Sequence, residues 1–157
     1  MKKILAFGAV VVFALLVSGV VQAQSDPVAG IWKLNTAKSK YSEGPAPKNL
    51  TLTFEAQGDG VKGRSEGTAA DGSHRAWSFA ATYDGKDNPI SGIGPAGADT
   101  IAIKRINPTA IATTYKKAGK VVRTSLLVVS KDGKVMMIKA KAPGADSQPD
   151  VLVLDKQ

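Results

Sequence analysis

Short runs of alternating apolar and polar residues, each closed by a turn signal, recur from residue 30 to the C-terminus. No other feature of the chain constrains its fold as strongly. Leu50, Leu52 and Phe54 share one face of such a run, and Thr51, Thr53 and Glu55 share the other. A period of two with one apolar face is a β-strand that covers a core on one side. The same pattern predicts strands over residues 29–35, 61–68, 74–83, 100–105, 110–117, 121–130, 135–141 and 151–155. Gln57-Gly58-Asp59-Gly60, Ala70-Asp71-Gly72, Asn107-Pro108, Ala118-Gly119 and Lys131-Asp132-Gly133 supply turns between them. Consecutive strands then pair without long crossovers, and closing the sheet removes its edges. The expectation is an all-β, antiparallel up-and-down barrel of about 8–10 strands.

Four segments depart from the clean pattern. Residues 61–68 contain Gly63 and Gly67 and read as a bent or edge strand with little to pack. Residues 84–99 carry four glycines and two prolines, which leaves room for a short strand near 88–91 within a lid, portal or disordered loop. Residues 36–41 lack alternation and allow one helical turn, and Gly44-Pro45-Ala46-Pro47 imposes an extended linker. Leu126-Leu127-Val128-Val129 and Met136-Met137-Ile138 are apolar on both faces, so cover is expected on the outer side, from the chain's own loops or from a second subunit.

The N-terminus reads as an export signal. Lys2 and Lys3 precede an apolar run from Ile4 to Val17, and Val21-Gln22-Ala23 places small residues for cleavage before Gln24. The run is shorter than the ~20 residues of a spanning helix, so no integral membrane segment is expected after cleavage. Removal of residues 1–23 leaves one domain, 24–157, of a size that holds a core without disulfides. The chain has no cysteine, which excludes a lipid anchor on that residue. A periplasmic or secreted location follows, with the short mature terminus before residue 29 expected to be mobile. The formal charge of +8 drops by two with Lys2 and Lys3, and the remainder is spread without a basic block.

Candidate chemistry is sparse. Asp59, Asp71, Asp84 and Asp132 each precede a glycine, which is turn chemistry. His74 is the sole histidine and has no visible partner for acid–base work; Tyr83 and Asp87 are the nearest candidates for one. One histidine and no cysteine argue against a transition-metal site. Neither a cofactor nor nucleic acid is expected, because the few aromatics fall on the core face rather than among basic residues. What remains is the barrel interior. Trp77, Phe79, Tyr83 and Tyr115 are candidates to line a cavity. Arg123 shares a face with Val121, Ser125, Leu127 and Val129; facing inward it would need a carboxylate or an acidic ligand, and facing outward, the favoured reading, it is an ordinary surface residue.

Gly30-Ile31-Trp32, followed by a meander of hairpins, resembles the Gly-x-Trp opening of lipocalins and related calycin barrels. With Ala37-Lys38-Ser39-Lys40-Tyr41, Tyr83-Asp84-Gly85-Lys86-Asp87 and Val129-Ser130-Lys131-Asp132-Gly133-Lys134, the chain is similar to small exported bacterial barrels of unknown function. The resemblance implies that Trp32 packs across the closed end of the barrel, near an arginine of the last strand. Residues 151–155 contain no arginine, so the sequence departs there. The functional expectation is an exported, non-enzymatic protein, monomeric or weakly dimeric, that holds a small hydrophobic or amphipathic ligand. The alternative is an envelope-associated interaction module with a filled barrel.

Overall fold

The computed structural model describes residues 25–42 and 44–157, so the expected export segment lies outside the described residues. Ten strands follow in order: β1 (Gly30–Leu34), β2 (Asn49–Gln57), β3 (Gly60–Thr68), β4 (His74–Thr82), β5 (Asp84–Gly92), β6 (Thr100–Asn107), β7 (Ala110–Lys117), β8 (Lys120–Val129), β9 (Val135–Lys141) and β10 (Asp150–Lys156). Every strand pairs antiparallel with its sequence neighbours, and β1 pairs with β10 to close the barrel. The expected all-β up-and-down barrel is therefore the observed one. Between β5 and β6 a single 3-10 turn, Pro95–Gly97, crosses one end. Among the described residues no helix is long and apolar enough to cross a membrane.

Strand alternation sorts the side chains. Trp32, Leu52, Phe54, Val61, Phe79, Ile101, Ile103, Ile111, Leu127, Met136 and Leu154 point inward and form one buried cluster. The turns after β2, β6 and β8 lie at the end where β1 begins, the base of the barrel. The turns after β3, β5, β7 and β9 lie at the opposite end, the mouth.

Two expectations about the strands are corrected. Strand β3 is not an edge: nine residue pairs join it to β2 and nine to β4. Its glycines make room. A Cβ on Gly63 would lie 2.3 Å from Phe79 Cε1, so the bare backbone is the surface against which that ring packs. Gly63→Ala should therefore destabilise the fold by about 1–2 kcal/mol through overpacking, read as a lower denaturation midpoint in urea. The segment 84–92 is a full strand rather than a loop, although β4 holds it only through Trp77–Phe79 against Ile90–Gly92. Its register against β6 slips between Asp84 and Asp87, where a bulge absorbs the turn residues.

The N-terminal segment is also unlike its expectation. It is strapped across the base. Val28 is fully buried, and its carbonyl accepts the Trp32 indole N–H at 2.9 Å. Asp26 holds the strap: its carboxylate accepts the Tyr83 hydroxyl at 2.6 Å, pairs with Arg105, and caps the Val28 N–H at 3.1 Å. Trp32 is fully buried beside this strap, as the resemblance implies. The last strand brings a cation after all, beyond the limit expected for it: Lys156 Nζ lies 5.0 Å from the centroid of the Trp32 ring. Gly30 explains how it gets there. A Cβ at Gly30 would lie 2.6 Å from Lys156 Cε, and its φ of +134° suits only glycine.

Candidate functional site

The barrel interior is filled at the base and open at the mouth. Trp32, Val61, Met136 and Leu154 are almost wholly buried and pack the base. Above them lies a narrow cavity of about 50 Å³ bounded by Phe54, Phe79, Ile103 and Leu127. It continues upward, through the shared lining residues Leu52, Ser65, Trp77, Tyr115, Ser125 and Ile138, into a cup of about 210 Å³ at the mouth. Leu50 and Leu152 complete the apolar wall, and Pro95 of the 3-10 turn stands at the rim.

Three of the five candidate residues meet around this cup, and one more lies beneath it. Trp77 stacks on Phe79 with ring centroids 5.8 Å apart and meets Tyr115 edge-on at 6.0 Å. Strand alternation puts Trp77 and Phe79 on the inner face of β4, and Tyr115 faces inward from β7. Burial raises the Tyr115 pKa, and the nearby hydroxyls of Thr113 and Ser125 draw it only partway back, so the phenol is neutral at physiological pH. Thr113 and Ser125 share a hydrogen bond across β7 and β8 and place a small polar spot in an otherwise apolar wall.

Arg123 faces inward, against the outward orientation favoured from sequence. Its side chain is about one-quarter exposed at the cup, and its Nη2 donates to Asp150 Oδ2 at 2.6 Å. Asp150 is buried, and its other oxygen accepts the Ser42 N–H at 2.8 Å and the Ser42 hydroxyl at 3.1 Å. Burial opposes ionisation of Asp150. The guanidinium and the two Ser42 donors outweigh it, holding the carboxyl below its usual value. The pair is thus ionised, with one edge of the guanidinium taken by Asp150 and the side chain bordering the cup.

Tyr83 does not belong to this group. It stands at the base, where Arg105 lies 3.8 Å over its ring and Asp26 takes its hydroxyl. Burial and then the Asp26 carboxylate push its pKa well above the ordinary phenol value, as suits a structural donor. His74 is exposed at the start of β4, at the far end of that strand from Tyr83, and Asp87 is engaged by Lys116 at 2.7 Å. The arrangement considered for His74, with either partner, is not formed. Among the described residues no group of three metal-ligating side chains occurs.

Sequence reasoning missed Asp26, Asp150 and Lys156. Asp150 had a usable signal. Extending the last strand back by one residue puts Asp150, Leu152 and Leu154 on one face, and an acid on that inward face is the partner an inward Arg123 requires. Asp26 had none, since nothing in Asp26-Pro27 points to Arg105 and Tyr83, far away in the chain. No family model matches the chain, and no curated protein matches it.

Proposed function

We propose that the protein is an exported, non-enzymatic binding protein that holds one small amphipathic molecule in the mouth half of its barrel. The apolar body lies against Trp77, Tyr115, Leu50 and Leu152, and an acidic group faces Arg123. One observation carries this reading: the interior is divided into a packed base and an apolar cup that borders a guanidinium anchored on one side only. A concave apolar site with a few convergent polar groups is the usual form of a small-molecule site. The cup is smaller than the ~300–1,000 Å³ of common ligand clefts, so the ligand is small.

The test uses protein recovered from the periplasm of an expression host, with cleavage before Gln24 read from its mass. Native mass spectra should show a bound small molecule, and titration with decanoate or 4-phenylbutyrate should quench Trp77 fluorescence saturably. The quench should disappear in Trp77→Phe, because Trp32 is sealed at the base. Mass spectra free of adducts, together with flat titrations for both acids, would sink the proposal. A second reading, an envelope-associated interaction module without a ligand, is favoured by the outer face of β8 and β9, where Leu126, Val128 and Met137 are exposed. It gains ground if those titrations are flat and a protein partner co-purifies.

A further inference from the structure

We propose that the outer face of the β8–β9 hairpin docks on an anionic lipid surface. Cover by the chain's own loops or by a second subunit is the expectation there, and the described residues leave Leu126 40%, Val128 38% and Met137 40% exposed. These side chains are contiguous. Val128 pairs directly with Met137, and Leu126 stands two residues before Val128 on the same face of β8. Together with Val135 they line a shallow outer groove whose remaining walls are Ser130 and Lys139.

Lysines surround the apolar centre. Lys131 and Lys134 flank the hairpin turn, Lys139 is directly opposite Leu126, and Lys141 is directly opposite Thr124. All four are exposed, and among the described residues none forms a salt bridge. The one acid in the hairpin, Asp132, is exposed and engaged by its own turn, accepting from the Ser130 hydroxyl at 2.6 Å and the Lys134 N–H at 3.1 Å. The face thus joins exposed apolar side chains to a net positive charge, four lysines against one acid in the hairpin. A membrane interface with anionic headgroups satisfies both at once: acyl chains take the apolar centre and phosphates take the lysines. Other occupants satisfy one half only. An acidic polymer leaves Leu126, Val128 and Met137 in water. A second copy of this face sets lysines against lysines, and three apolar side chains fall far short of the ~800 Å² per partner of a stable interface.

The same hairpin lines the cup on its inner side through Arg123, Ser125 and Ile138. Strand alternation alone places the lipid-facing and cup-facing residues back to back. Docking does not depend on whether the cup holds a ligand, so the two proposals fail separately.

Exported, processed protein is sedimented with vesicles of phosphatidylcholine alone and of phosphatidylcholine doped with phosphatidylglycerol. Binding is expected only to the doped vesicles and should weaken as salt is raised. Lys139→Gln and Lys141→Gln should each lower affinity about fivefold. Met137→Ser and Val128→Ser should lower it further at unchanged melting temperature and unchanged cup titration. Failure to sediment with doped vesicles would overturn the proposal. So would lysine dependence without any effect of Met137→Ser and Val128→Ser, retention on dextran sulfate without vesicle binding, or a dimer in size exclusion that Met137→Ser converts to monomer.

Discussion

Trp32→Ala is expected to remove about 3–5 kcal/mol of stability, the cost of truncating a large buried aromatic, and to lower Tm by on the order of 10–20 °C. Three losses coincide at this one side chain. Its ring fills the base beside Val28, Met136 and Leu154, all fully buried. Its indole N–H is the partner of the Val28 carbonyl, which a methyl group leaves without a donor in a buried place. Its ring is also what Lys156 lies over. Truncation should therefore loosen the strap from 25 to 29, and hydrogen exchange there should accelerate more than in β7 or β8. Binding in the cup should survive at temperatures where the variant is folded, because the cup is at the other end of the barrel. A variant of full stability that has lost ligand binding would show that Trp32 serves the ligand instead.

The strap shows where local sequence reasoning ends. Strand β2 was legible because one of its faces is wet, so composition alternates and fixes the phase. Strand β8 was not, because Leu126 to Val129 are apolar throughout. Its inner half packs the core and its outer half faces away from it, and no alternation says which way Arg123 points. Glycines misled in β3 and β5 for a common reason. A glycine lowers intrinsic strand preference, but preference counts for little when both neighbours of β3 are in place and Phe79 needs the space above Gly63. Pro89 and the slipped register conceal β5 in the same way. The cup was half legible: Trp77, Phe79 and Tyr115 follow from period two. The ion pair that orients Arg123 joins residues in β8 and β10, and the strap joins Asp26 to side chains more than fifty residues away. Such pairings depend on barrel closure, which no local window contains.

Asp150→Ala should cost about 2–4 kcal/mol, somewhat less than breaking a fully buried pair, because the Arg123 side chain keeps about one-quarter of its exposure. The cost comes from the cation left behind. Arg123→Met should accordingly cost less, since Asp150 keeps both Ser42 donors, and adding it to Asp150→Ala should restore part of the lost stability. Melting curves of the two single variants and the double variant measure this coupling. The pH dependence has a definite sign. The folded pKa of Asp150 is depressed, so its contribution is fully present above the unfolded value of ~3.9 and is lost as pH falls through the lower, folded value. The stability gap between the native protein and Asp150→Ala should therefore be constant near neutrality and close in strong acid. Binding should move the other way. In Asp150→Ala the whole guanidinium is free, and an acidic ligand gains charge-assisted hydrogen bonds that Asp150 otherwise takes, worth about tenfold in affinity or more. In Arg123→Met the acidic ligand should bind at least about tenfold more weakly, with an uncharged ligand of the same shape unaffected. A less stable protein that binds carboxylates more tightly is the signature of an arginine shared between the fold and its ligand. If Asp150→Ala loses stability and leaves carboxylate affinity unchanged, Arg123 serves the fold alone and the acidic group of the ligand must be assigned elsewhere.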